Sequence, residues 1–224
     1  MRFAFLLALL TAFPLMPAAA QSPANRDLHA AASRGDLKAL NAVLDAGVGV
    51  DSVDAQKQTA LLLAVTGGHL EAFKALLARG ASVNAQAANK DTPWLLAGAL
   101  GRTFMLEAML ALPPERAPDL SLRNRFGGSA LIPACERGHV ETIALLTKRS
   151  KINVDQVNNL GWTCLLEIVI LGNGGPRHVA ATKLVLAAGA NVNLADRDGV
   201  TPLAHARKRG QAEIVRLLEA AKAR

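Results

Sequence analysis

Five tripeptides led by Thr or Ser recur along this chain, and their spacing restricts the fold more than any other feature. They are Thr59-Ala60-Leu61, Thr92-Pro93-Trp94, Ser129-Ala130-Leu131, Thr163-Cys164-Leu165 and Thr201-Pro202-Leu203, at intervals of 33, 37, 34 and 38 residues. A hydroxyl at a helix N-cap satisfies an orphan backbone donor, so each tripeptide is expected to open a helix. About nine residues later a Gly-polar pair opens a second one. Self-similarity at this period predicts an all-α solenoid, in which each unit buries its apolar face only against its neighbours. Such stacks present long surfaces for binding rather than a closed catalytic pocket.

The second unit carries the pattern in full. Asp54 and Lys57 lie in a polar turn, Leu61, Leu63 and Ala64 mark the first helix, and Gly67-Gly68 ends it. His69 opens the second helix, where Leu70, Phe73, Leu76 and Leu77 recur at helical spacing. Gly80 closes it, and residues 81–84 lead into the next hairpin-like turn.

These residues resemble the ankyrin repeat. The resemblance rests on Gly199-Val200-Thr201-Pro202-Leu203, on Gly68-His69 and Gly138-His139, on Leu76-Leu77 and Leu217-Leu218, and on Gly80-Ala81-Ser82-Val83-Asn84 and Gly189-Ala190-Asn191-Val192-Asn193. It covers about residues 27–224, as units of about 27–51, 52–84, 85–121, 122–155, 156–193 and 194–224, after a short extension over 21–26. It implies protruding β-hairpin-like loops, a concave face lined by the first helices, and a role in protein binding. The first unit keeps Leu28-His29-Ala30-Ala31-Ala32 and Gly35-Asp36 but lacks the hairpin, as terminal units often do.

Residues 1–20 stand apart. Arg2 precedes an apolar run over 3–13 interrupted only by Thr11, and Ala18-Ala19-Ala20 follows Pro14 and Pro17. This is the pattern of a cleaved signal peptide, with cleavage expected after Ala20. The run is shorter than the roughly 20 residues a membrane span needs, so no transmembrane insertion is expected. A periplasmic, monomeric protein is the resulting expectation. Losing Arg2 lowers the formal charge from +7 to +6. That balance permits acidic partners without naming one, and export argues against nucleic acid.

Cys135 falls late in one first helix and Cys164 in the opening turn of the next. Stacked helices lie about 8–10 Å apart, whereas bridged Cα atoms need about 4.4–6.8 Å. Both are therefore read as small buried side chains, with no disulfide. His69, His139 and His178 share one repeat position and cannot converge on a metal. No Gly-x-Ser-x-Gly elbow, phosphate loop or His-Glu-x-x-His is present, so no catalytic residue, metal or cofactor is assigned.

Insertions occur around residues 113–116 and 173–177, the latter between two helices. Either can serve binding or be tolerated surface growth. Pro133 inside a first helix removes a hydrogen bond and is expected to kink it. Glu167 is the one carboxylate in an apolar first helix, at the position held by Leu63 and Leu96, and is expected on the concave surface. Trp94 is expected in the core.

The candidate contact surface lies at the hairpin tips. Repeats two, three and six carry Lys or Gly two residues before the Thr, flanked by polar or small residues. Repeat four reads Asn124-Arg125-Phe126-Gly127, and repeat five reads Asn158-Asn159-Leu160-Gly161-Trp162. Phe126 and Leu160 share a position, giving neighbouring apolar fingers rimmed by Asn and Arg, an arrangement common at protein interfaces. Trp162 either joins that patch or packs against its neighbouring hairpin. With Glu167, Arg197 and Asp198 these residues form the expected partner-binding surface of repeats four to six. The competing possibility is an envelope polyanion or small ligand held by Arg197 and Arg207-Lys208-Arg209.

Overall fold

The computed structural model describes residues 22–224; the expected signal segment, 1–20, lies outside them. Among the described residues twelve α-helices form six antiparallel pairs: α1 Pro23–Arg34 with α2 Leu37–Asp45, α3 Ala60–Gly67 with α4 Leu70–Ala78, α5 Pro93–Ala99 with α6 Thr103–Leu110, α7 Leu131–Glu136 with α8 Val140–Arg149, α9 Cys164–Ile170 with α10 Pro176–Ala187, and α11 Pro202–Lys208 with α12 Ala212–Ala220. First helices pack on first helices and second helices on second helices, which makes a two-layer stack. No strand forms among the described residues; the hairpin loops are turns, with one isolated bridge between Val53 and Thr59.

Four hydroxyls cap as expected. The side chains of Thr59, Thr92, Thr163 and Thr201 accept from the backbone N–H three residues on. Ser129 does not, and its Oγ has no protein partner. In the other repeats the residue four beyond the Thr donates its N–H to the Thr carbonyl, as Leu63, Leu96, Glu167 and His205 do. Pro133 occupies that position and has no N–H, so α7 starts one residue later. The proline then stands in the first turn, where a missing donor is tolerated, and no interior hydrogen bond is broken.

The chain termini of the units differ from the sequence expectation in two places. Residues 23–26, expected in an extension, form the first turn of α1, which Ser22 caps. Pro176 and Arg177, expected between two helices, open α10, so much of that insertion lengthens a helix to 12 residues. The other insertion forms a 3-10 turn, Pro114–Arg116, whose Arg116 guanidinium donates to the Leu77 carbonyl at 2.7 Å.

The core runs the length of the stack, and its largest fully buried side chains include Trp94, Phe73, Leu61 and Leu106. Polar stitches join the units. His69 Nε2 pairs with the Ser33 carbonyl at 2.9 Å, and His178 Nε2 with the Glu136 carbonyl at 3.0 Å. Arg102 and Arg137 donate to the corresponding Thr66 and Ala99 carbonyls. His69 thus bonds across repeats, and His178 bonds both across repeats and within its own, where its Nδ1 pairs with Asn173 Oδ1 at 3.0 Å.

Cys135 and Cys164 are disulfide-bonded, with Cα atoms 5.4 Å apart. The expectation of free thiols fails because an interaxial spacing is not a Cα spacing. The sixth residue after one cap faces the first residue after the next. At the preceding junction the same two positions are Gly98 and Ala130, so close that a Cβ on Gly98 would lie 2.4 Å from the Ala130 carbonyl oxygen. The cysteines occupy the corresponding pair of positions one junction further on.

Candidate functional site

The hairpin tips of repeats two, four, five and six are each held by one side chain. Asn158 Oδ1 accepts from the backbone N–H of Leu160 at 2.9 Å and of Trp162 at 3.0 Å. Asn124 does the same for Phe126 and Gly128, and Asp54 and Asp196 occupy the equivalent position in repeats two and six. Each tip then turns through a residue of positive φ, which is Gly127 in repeat four and Gly161 in repeat five but Lys57 and Lys90 in repeats two and three. Neighbouring tips are bonded: the Asn159 N–H donates to the Phe126 carbonyl at 2.9 Å, as Ala88 donates to Gln56. Arg197 lies over Gly161, where a Cβ would meet its Cγ at 2.6 Å.

This frame projects Phe126, 56% exposed, and Leu160, 53% exposed, side by side. The Arg125 guanidinium sits 4.5 Å from the Phe126 ring centroid, a cation–π contact that holds both side chains at the tip. Asn159, Arg197 and Asp198 are exposed around them. Trp162 is half-buried and packs against the core, so it supports the tip more than it extends it.

Below the tips a groove of about 390 Å³ separates α7 from α9. Phe126, Leu160 and the half-exposed Leu171 form its apolar margins, and Glu136, Arg137 and Glu167 line its charged part. Glu167 is not on the surface as expected: it is 4% exposed. The first helices α7 and α11 flank α9, and Asn158 reaches down from the tip, its Nδ2 donating to Glu167 Oε1 at 2.7 Å. Burial and the neighbouring Glu136 carboxylate push the Glu167 carboxyl up to about 7, against the hydrogen bond from Asn158, which lowers it. In repeat six the same two positions hold Asp196 and His205, 2.7 Å apart, with the acid on the other side of the contact. That hydrogen bond from His205 holds Asp196 below the usual carboxylate range.

The basic run of repeat six is dispersed. Arg207 pairs with Glu219 at 2.7 Å and Arg209 donates to the Gly172 carbonyl, leaving Lys208 of the three. Of the residues lining the groove, Gly128, Ile132, Glu136, Arg137 and Leu171 carry no signal in the sequence. Glu136 and Arg137 lie at the end of α7, and only the pairing of α7 with α9 brings them opposite Glu167. The described residues contain no cluster of three or more His, Cys, Asp or Glu that could hold a metal ion, and no helix long and apolar enough to cross a membrane.

A family model of ankyrin repeats, in three copies, matches residues 28–113. The chain is also 38% identical over 195 residues to YahD of Escherichia coli (strain K12), a protein named for its ankyrin repeats, spanning 87% of this chain and 95% of that one. The chain belongs to the ankyrin-repeat family. Among solved structures it is similar to an ankyrin repeat domain from Acinetobacter baumannii AYE, with 46% identity and a TM-score of 0.82, over 88% of this chain and 98% of the other. It is likewise similar to the ankyrin repeat domain of Bcl-3, a member of the IkappaB protein family, with 30% identity and a TM-score of 0.77, over 88% and 86% of the two chains. Ankyrin repeats are generally protein–protein interaction modules, and the fold is typically non-enzymatic.

Proposed function

We propose that this chain is an exported, monomeric ankyrin-repeat protein that binds a protein of the bacterial envelope, without catalysis, through the tips and first-helix face of repeats four to six. The carrying observation is the adjacent pair Phe126 and Leu160, about half exposed on tips that are hydrogen-bonded to each other. Apolar side chains held rigid before binding lose little entropy on association, and an Arg and Asn rim supplies directional contacts. The Cys135–Cys164 disulfide favours an oxidising compartment such as the periplasm, as does the signal-like segment 1–20. A folded exported enzyme and a periplasmic loop of a membrane protein are the partner classes this surface suits.

The test pairs the parent chain with a Phe126→Glu, Leu160→Glu variant as baits for crosslinking in envelope extract, followed by mass spectrometry. Both positions are exposed, so circular dichroism should report unchanged helicity. A protein retained by the parent and lost by the variant is the expected result; identical capture by both would reject the tip interface. N-terminal sequencing of the chain from a periplasmic fraction tests export, and an intact Met1 in a cytoplasmic fraction would reject it.

A further inference from the structure

The groove between α7 and α9 contains a carboxylate that the protein satisfies only on one side. Glu167 Oε1 accepts from Asn158, while Oε2 is buried with no protein donor. A buried acceptor left unsatisfied costs about 1–3 kcal/mol, and more when charged. Glu136 stands beside it and makes no ion pair within the described residues. The two arginines of the groove pair with neither carboxylate: Arg137 donates to the Ala99 carbonyl, and Arg125 lies against the Phe126 ring.

We propose that this groove receives a lysine or arginine side chain from an extended segment of the partner protein, its cationic head seated against Glu167 and Glu136 and its aliphatic stem lying between Phe126 and Leu160. This inference rests on the protein-binding function proposed above. A long basic side chain joins an apolar stem to a charged tip, which matches apolar margins beside two carboxylates that no arginine of the groove pairs with. The incoming donor completes the coordination of Oε2. A neutral aliphatic side chain would leave that oxygen unpaired, and an acidic one would be repelled, so the groove discriminates by penalty as well as by attraction. Asn158 is a positioning residue: one amide both holds Oε1 and braces the tip that carries Leu160.

The seat is sensitive to pH. The charged groups around Glu167 are Glu136 and Arg137 on α7 and Arg125 on the tip of repeat four; α10 contributes none to the groove. On α11, His205 holds the corresponding position and is paired with Asp196. Because the Glu167 carboxyl is pushed up to about 7, its full negative charge develops only on the alkaline side of neutrality.

The experiment immobilises the chain from residue 21 onward, which contains every described helix, and passes over it pools of N-acetylated, C-amidated hexapeptides. One central position is fixed as Lys, Arg, norleucine or Glu, and the others are degenerate. At pH 8 the Lys and Arg pools are expected to be retained about tenfold over norleucine, the scale of one hydrogen bond to a charged group. The preference should shrink at pH 5.5. Glu167→Gln keeps the amide contact to Asn158 and should stay folded by circular dichroism, yet lose most of the Lys preference at pH 8, leaving the part that Glu136 supplies. Equal retention of Lys and norleucine by the parent, a Lys preference undiminished in Glu167→Gln, preference for the Glu pool, or no retention at millimolar peptide would each overturn the inference. An envelope protein captured equally by the parent and by Glu167→Gln would also overturn it while leaving the protein-binding function standing.

Discussion

In repeats two and three the tips carry Gln56 and Asn89, and the first-helix face below them carries Leu63 and Leu96. In repeats four and five the tips carry Phe126 and Leu160, and the face below carries Pro133 and Glu167. The backbone positions correspond, so the tips turn from polar to apolar between two halves of one stack, and in repeat five the face turns from apolar to acidic. The lesson is that the shared framework, made of caps, braces and inter-repeat stitches, leaves a few positions per repeat free to vary without altering the fold. The junctions differ in the same way. Gly98 meets Ala130 where repeats three and four touch, and at the corresponding positions one repeat further on the contact is the Cys135–Cys164 bond.

The largest way to break this comparison is to remove that bond. Cross-linking across 29 residues restricts the unfolded chain, so Cys135→Ala with Cys164→Ala should lower unfolding free energy by about 3–4 kcal/mol in urea denaturation. A loss near zero would mean that packing alone secures the junction. Next comes the buried acid. With its carboxyl raised from 4.5 to about 7, the folded chain binds more protons than the unfolded one between those values, so stability falls as pH rises through that window. Glu167→Gln should therefore be more stable than the parent by about 3 kcal/mol at pH 8, with the gap closing toward pH 4. A pH-independent gap would show that Glu167 titrates normally.

At the neighbouring junction, Gly98→Ala should cost about 1–3 kcal/mol, because the new methyl meets backbone rather than a movable side chain. The smallest pair of effects sharpens the contrast between caps. Thr163→Ala should cost about 1 kcal/mol by loss of its bond to the Leu166 N–H. Ser129→Ala should cost much less, since its hydroxyl bonds to nothing in the protein. Equal losses in thermal denaturation would refute the assignment of Ser129 as a failed cap.

Much of the framework was legible because it is local. Thr59, Thr92, Thr163 and Thr201 announce helix starts through one side-chain bond, and Trp94 falls in the core through its place in the tripeptide. The consequence of Pro133 was not legible, because it depends on the distance of the proline from the preceding cap. The exposed fingers Phe126 and Leu160 were legible from their position before the turn glycine. The groove beneath them was not, since Glu136 and Glu167 are 31 residues apart and meet only when α7 lies beside α9.

Helix starts, turn positions and apolar tips follow from sequence, because residues within a few places of one another set each of them, and the period is their recurrence. Tertiary structure alone decided the axial stagger of successive first helices. That stagger carries the end of one helix to the start of the next, bringing Cα atoms to 5.4 Å at Cys135 and Cys164. It also decided the burial of Glu167, because desolvation depends on what neighbouring repeats and the folded-down Asn158 leave of the water around a carboxylate.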